Sequence, residues 1–211
     1  MTAVRRAWAL ARDALLLEVA LYRALARWVA RRPDVPRGTT PVGYARLAAP
    51  MIWLWIFGSA VEVVVLDVVL SRWLPSLRVP LLVVGVWGLL WMLGLLASYR
   101  VKPHLLTDTE LVVRSGARTR VAVPLGAITS IRSAEHQLPG IVRSVHVEDE
   151  EPEALLLVGV SSRTNLELVL EGPTVLTTPN GSSTVSRVGL WVDEPREVAE
   201  LLRRRRSAPA R

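Results

Sequence analysis

Two long apolar stretches lie back to back in the first half of this 211-residue chain, and they restrict its fold more than any other feature. The first covers residues 47–70. It has no charge from Ala48 to Val61, and Glu62 and Asp67 interrupt its second half. The second covers residues 80–98 and has no charge at all. As helices rising about 1.5 Å per residue they would measure roughly 36 and 29 Å, enough to cross a hydrocarbon core about 30 Å thick. A helix buried on every side can look similar in a soluble protein. Two in succession, joined by a short link at residues 71–79, point instead to a transmembrane helical hairpin over residues 47–99.

The net charge of +7 is unevenly placed. Residues 1–49 carry +6, residues 50–99 balance, and residues 100–211 carry +1. Arg31, Arg32, Arg37 and Arg46 precede the first span, Arg100 and Lys102 follow the second, and the link holds only Arg72 and Arg78. Basic residues collect on the cytoplasmic side of membrane helices. The expectation is therefore a multi-pass protein of the cell membrane with two spans, both termini cytoplasmic and the link outside. Trp53, Trp55 and Trp73 fit interfacial anchors, whereas Trp87 and Trp91 fall mid-span and fit packing or lipid contact. No cleavable signal-peptide pattern precedes the first span.

Glu62 is an intramembrane carboxylate in this reading, and such a group is costly enough to be a functional candidate. The plainer role is a protonated or paired group holding the hairpin or an oligomer together. Gly58 and Ser59, one turn before it, would allow a close helix contact there. Gly85, Gly88 and Gly94 offer the same in the second span. Asp67 falls near the outer interface, within reach of Arg72.

Residues 1–32 hold one amphipathic helix. At 100° per residue, Arg5, Arg12, Asp13, Arg23, Arg27 and Arg31 share one face. Trp8, Leu10, Leu15, Leu21, Leu25 and Trp28 lie on the other, where Glu18 breaks the pattern. An Arg face opposite Trp and Leu fits a helix lying in the membrane interface, and packing on the cytoplasmic domain or a partner is the alternative. Pro33 and Pro36 end it, and residues 33–46 form a linker.

From residue 103 the periodicity changes to short β runs. Glu110 to Arg114 and Thr119 to Val123 flank a Ser115-Gly116 turn. Further runs cover residues 128–132, 142–147, 154–160, 165–170, 174–176 and 183–191. The run Glu148-Asp149-Glu150-Glu151 reads as a loop, and Pro179-Asn180-Gly181 as a turn. Asp193 is the N-cap candidate of a closing helix over residues 193–206, with Val198, Leu201 and Leu202 as its apolar stripe. The fold class is thus α+β: an amphipathic helix, a two-helix hairpin, then a small β-barrel or sandwich over residues 103–206 with a C-terminal helix.

The stretches Leu106-Thr107-Asp108, Leu111-Val112-Val113-Arg114-Ser115-Gly116, Val123-Pro124-Leu125 and Ile128-Thr129-Ser130-Ile131 resemble the opening of bacterial PH-like domains. That family is commonly attached to two membrane helices on its N-terminal side. The closing Val192-Asp193-Glu194-Pro195 also looks like a PH-type C-terminal helix start. The likeness covers residues 103–203, with Glu110 or Leu111 where the family usually has Arg. The overall plan is similar to actinobacterial membrane proteins of unknown function. The resemblance implies a cytoplasmic PH-like fold and a membrane-associated scaffold or regulatory role, and hands over no ligand.

Catalytic patterns are absent: there is no G-x-S-x-G, H-E-x-x-H, P-loop or G-x-G-x-x-G. The chain has no cysteine, and His104, His136 and His146 do not converge by spacing. The expectation is a non-enzymatic protein without cofactor or metal. Two basic groups are binding candidates for anionic lipid or a partner: Arg114, Arg118 and Arg120 at the hairpin turn, and Arg203, Arg204, Arg205 and Arg206 in the last helix. One short basic run without interleaved aromatics is a poor nucleic-acid footprint. Membrane lipids, a membrane-protein partner or a second copy are the expected partners. The alternative reading is an accessory subunit of a transport or envelope-assembly complex, with Glu62 in a helix interface.

Overall fold

The computed structural model describes residues 2–139, 144–148, 154–179 and 181–207. It divides into two compact units: Met1–Pro33 with Ala49–Val101, and Asp34–Ala48 with Lys102–Arg211.

The first unit consists of α1 (Thr2–Val29), α2 (Ala49–Trp73) and α3 (Pro75–Val101). Both other helices pack on α3. Two glycines make this possible. A Cβ at Gly85 would lie 2.6 Å from Val63 Cγ2 of α2, and one at Gly94 would lie 3.0 Å from Leu21 Cβ and 3.1 Å from the Leu21 carbonyl oxygen of α1. Gly58 and Gly88 meet nothing, so the close α2–α3 contact falls at Gly85 and not beside Gly58.

Both α2 and α3 are long and apolar enough to cross a membrane, and only 6% and 11% of their most apolar windows are buried within the chain. The core helix of a soluble protein would be mostly covered. The expected nine-residue link shrinks to Leu74 alone. Pro75 opens α3, where a missing N–H costs nothing, and Pro80 lies inside the helix and forfeits one backbone bond. The tight link also changes the partner of Asp67. Arg78, one turn into α3, grips it through Nε–Oδ1 at 2.7 Å and Nη2–Oδ2 at 2.9 Å, in place of the expected Arg72.

α1 lies against α3 through its second half. Trp87 Nε1 donates to Glu18 Oε1 at 2.7 Å and to the Tyr22 hydroxyl at 2.6 Å, and that hydroxyl donates to Glu18 at 2.9 Å. Glu18, the flaw in the apolar face, is thus a polar contact to α3. Leu21 and Ala24 are buried beside it, whereas Val4, Trp8, Leu10 and Leu15 of the first half are exposed.

The second unit is built on two open sheets. One contains β1 (Thr40–Val42), β2 (His104–Leu106), β3 (Glu110–Ser115) and β4 (Thr119–Pro124), antiparallel and in that order. Then come β5 (Ile128–Arg132), β6 (His136–Gln137), β7 (Val145–Glu148), β8 (Leu155–Val158), β9 (Arg163–Thr164), β10 (Leu166–Thr178) and β11 (Gly181–Leu190). The second sheet runs β5-β10-β11-β8-β7, with β8 parallel to β11, and β6 pairs with β9. Neither sheet closes into a barrel, so the barrel form of the expectation is corrected to two open sheets. Residues 149–153, which hold most of the expected acidic loop, and Asn180 lie outside the described residues, as do residues 142–143 of the expected 142–147 strand.

One core joins both sheets and the last helix, α4 (Pro195–Ser207). Leu111, Val113, Val121 and Val123 come from the first sheet, Leu156, Leu168, Val188 and Leu190 from the second, and Val198 and Leu202 from α4. The alternation Leu166, Leu168, Leu170 sends one face of β10 inward. β10 continues where two separate runs were expected. Its register against β11 shifts between Val169 and Thr174, across Gly172-Pro173, because proline cannot donate to a ladder and is tolerated at a bulge.

Two local expectations change. β1 is a strand inside the expected linker, pairing Val42 with His104. Glu194, not Asp193, precedes the first helical residue of α4, and its carbonyl accepts the first helical bond, from Val198 N–H at 3.0 Å. Asp193 instead accepts the Arg46 backbone N–H at 2.9 Å and donates its own N–H to the Gly43 carbonyl at 2.9 Å.

The glycine steps give a paired test. Gly94→Leu should loosen α1 from α3 and cost about 1–3 kcal/mol through overpacking. Gly88→Ala should be neutral or stabilising by up to about 1 kcal/mol through helix propensity. Thermal unfolding of the full chain in detergent, with proteolysis of α1 as a second readout, checks both.

Candidate functional site

The β3–β4 hairpin presents the first expected basic group. Ser115 pairs with Thr119 across the loop Gly116-Ala117-Arg118, and Gly116 takes φ +59°, a left-handed conformation that glycine adopts at no steric cost. Arg114 and Arg120 are directly opposite partners in the ladder. Like charges in such positions repel. Arg114 is relieved by Asp34, donating to its carbonyl oxygen at 3.0 Å and meeting its carboxylate at 3.5 Å. Arg118 and Arg120 remain exposed. Lys102 joins the group, its Nζ donating to the Ala117 carbonyl at the loop.

The α4 arginines lie elsewhere and largely hold the unit together. Arg203 donates to the Ile131 carbonyl at 3.4 Å, and Arg206 to the Ile128 carbonyl at 2.9 Å and to that of Thr129. Arg205 pairs with Asp108 and reaches the Thr40 hydroxyl at 3.4 Å. Arg204 makes a loose intrahelical pair with Glu200 at 3.7 Å. Asp108 precedes β3 and Arg118 follows it, so a strand about 17 Å long separates the two arginine groups. The structure does not merge them into one patch.

Glu62 faces outward on α2 and lines a cleft of about 240 Å³ with Ser59, Val63, Gly85 and Gly88. No protein partner for its carboxylate is present among the described residues.

Sequence reasoning missed a buried polar node around His104. This residue of β2 is 1% exposed. Its Nδ1 accepts the Arg114 N–H at 2.9 Å and its Nε2 faces the Trp191 carbonyl at 2.8 Å. Those partners require the neutral tautomer with hydrogen on Nε2. Tyr44 stacks on the ring at a centroid distance of 4.5 Å. Burial, opposed by the Trp191 carbonyl and reinforced by Arg114, pushes the imidazole pKa down to about 4. Asn165 makes a comparable tie, exchanging bonds of 2.8 and 2.9 Å with the Val192 backbone. His136 pairs with the buried Glu167 at 2.7 Å. No local pattern marks any of these pairs, because each partner lies far away in sequence.

A surface cleft of about 470 Å³ lies between α4 and β1, lined among others by Arg46, Glu194, Glu197, Leu201 and Arg204. Arg46 meets Glu194 at 2.6 Å. A hydrogen bond from Glu197, with help from Arg46, holds the Glu194 carboxyl below its ordinary range, and the same bond raises Glu197. Nothing in the cleft pairs a nucleophile with a base. No group of three or more His, Cys, Asp or Glu side chains converges as a metal site among the described residues.

No family model, curated protein or solved structure matches the chain. The comparisons leave two apolar helices followed by a β-rich unit with a closing helix.

The His104 node sets a pH dependence. An unfolded histidine titrates near 6.5. Folded, this one stays neutral down to about 4. Its contribution is complete above about pH 6.5 and is lost as pH falls toward 4, a total of roughly 3 kcal/mol. Denaturant unfolding of the full chain at several pH values should show that slope. His104→Gln should be less stable at neutral pH and lack it. An unchanged slope in the variant would remove His104 as the source.

Proposed function

We propose that this chain is a non-enzymatic integral membrane protein whose α2–α3 hairpin anchors a PH-like β unit at the cytoplasmic membrane surface. There the basic β3–β4 turn would contact anionic lipid, with a protein partner as the other possible occupant. The observation that carries this reading is the uncovered apolar surface of α2 and α3. A surface of that size in water invites association, whereas lipid satisfies it. The arginine distribution orients the hairpin with Leu74 outside and the β unit inside.

The N-terminus goes to the same inner side. Arg5, Arg6 and Arg12 would each cost about 2.5–3.5 kcal/mol at the bilayer centre. The exposed Trp8, Leu10 and Leu15 fit the interface, with only the second half of α1 held against α3. The PH-like assignment draws support from the hairpin motif around Gly116 and from a closing helix packed on two sheets. A scaffold or regulatory role follows from that resemblance.

Glu62 favours a second reading, an accessory subunit of a membrane complex. An exposed carboxylate on an apolar helix calls for a donor from another chain. Glu62→Gln keeps the shape and removes the charge. A shift in native-gel mobility with normal membrane insertion would support that reading, and unchanged mobility would count against it.

The natural absence of cysteine allows a clean topology test. A membrane-impermeant maleimide should label Leu74→Cys in intact cells, and Val4→Cys and Ser182→Cys only after permeabilisation. Labelling of Ser182→Cys from outside would overturn the orientation, and release of the chain by alkali would overturn the integral placement. In nanodiscs, anionic lipid should slow hydrogen exchange in residues 114–120 relative to zwitterionic lipid. Arg118→Ala with Arg120→Ala should remove that protection, at roughly 1 kcal/mol per arginine. Equal exchange in both bilayers would leave the protein partner.

A further inference from the structure

The end of α1 closes in a way its sequence does not favour. Arg32 N–H bonds the Arg27 carbonyl at 2.9 Å and Arg31 N–H bonds the Trp28 carbonyl at 3.0 Å. These two bonds form a Schellman closure, whose left-handed position is usually glycine. Here Arg31 occupies it, at φ +53°. A strained residue is a pointer toward function when its side chain serves what its backbone resists.

The closure gathers guanidinium groups. A cleft of about 530 Å³ within the helical unit is lined by Arg27, Trp28, Arg31, Arg32 and Arg100, with no carboxylate among its lining residues. The ends of α1 and α3 both lie there. Each helix C-terminus carries about half a negative charge, so two ends offset about one of the three positive charges of Arg31, Arg32 and Arg100. The excess is far more than helix capping needs.

We propose that this cleft binds the phosphodiester headgroup of an anionic glycerophospholipid. The site rests on the membrane placement of α2 and α3 proposed above, and it is separate from the β3–β4 turn. Three features select the ligand. Arg100 lies two residues beyond the last uncharged position of the apolar stretch, which is headgroup level for a spanning α3. Guanidinium forks match phosphate oxygens in pairs. The volume falls in the range of small-molecule sites, so it exceeds a free phosphate and suits a headgroup with its glycerol. Trp28 adds an amphipathic ring of the kind found at this depth.

The test uses the full chain in neutral detergent, with lipid retention read by native mass spectrometry. Phosphatidylglycerol should be retained and phosphatidylcholine should not. Arg31→Gly combined with Arg32→Gln and Arg100→Gln should weaken phosphatidylglycerol retention at least ten-fold, while glycine removes the backbone strain and so protects the fold. Lysine at positions 32 and 100 should recover only part of the retention lost with glutamine, since the charge survives but the paired fork does not. A photoreactive phosphatidylglycerol should crosslink the unaltered chain within residues 27–33 or 98–101.

Equal retention of both lipids, retention unmoved by the triple substitution, or crosslinks confined to other segments would overturn the site. Full displacement of phosphatidylglycerol by millimolar inorganic phosphate would reassign it to a free anion. Alkali release of the chain from membranes tests the membrane placement separately. An integral chain with no lipid preference would sink this site alone.

Discussion

Much of the lateral surface of the α2–α3 pair is left uncovered by the described residues of the chain, and the rest of the helical unit is arranged around that fact. Apolar area left in water costs on the order of 25 cal/mol per Å². The chain does not fold back to bury it. Instead α3 takes α2 on one side at Gly85 and the second half of α1 on another at Gly94, leaving Val, Leu and Trp side chains outward. Contacts this close rely on missing side chains and not on the hydrophobic effect, which is how helices associate where the surroundings are already apolar. Specific polar contacts tie the helices to one another: Asp67 with Arg78 beside the link, and Glu18 and Tyr22 with Trp87.

The β unit is assembled from segments on both sides of the hairpin in sequence. β1 precedes the two helices in sequence and β2 follows them, yet the two strands pair residue for residue from Thr40 with Leu106 to Val42 with His104. An antiparallel hairpin returns the chain to where it left, which is the condition for such a pairing. Tyr44 then reaches the His104 ring, His104 ties β3 to the Trp191 backbone, and Asp193 ties the approach to α4 back to Gly43 and Arg46. The segment before the helices is therefore part of the core scaffold of the β unit. A piece beginning after α3 would lack β1 and leave His104 without its stacking partner.

What was legible in the sequence followed from periodicity and from chemistry within a few residues. The apolar runs announced α2 and α3, alternation announced β3, β4 and β10, and the stripe of Val198, Leu201 and Leu202 announced α4. Two of the failures share one cause, a partner distant in the chain. β1 is three residues among Pro, Gly and Thr, and only pairing with β2 makes it a strand. Asp193 looked like a cap because Asp commonly caps, but Arg46 offers its carboxylate a backbone N–H from far away in sequence. The gap between the expected runs 165–170 and 174–176 holds Gly172-Pro173, and a register shift absorbs it within one strand. The link is shorter than the apolar run implies because α3 opens at Pro75 and carries Pro80 within its first turns.

Charge shows the same division between what composition states and what geometry decides. The four consecutive arginines near the C-terminus are the densest basic run in the chain, and a reading by density alone makes them the binding surface. Three of them donate to backbone carbonyls, or to Asp108 and Thr40, and so hold α4 against β5 and the approach to β3. The arginines around residues 27–32 and 100 are sparser in sequence, but a helix closure brings them to one cleft with no acid lining it. Guanidiniums spent on carbonyls of their own fold have less to offer a ligand than guanidiniums lining a cleft that no carboxylate lines. A basic lining without an acid is the stronger physical pointer to an anion.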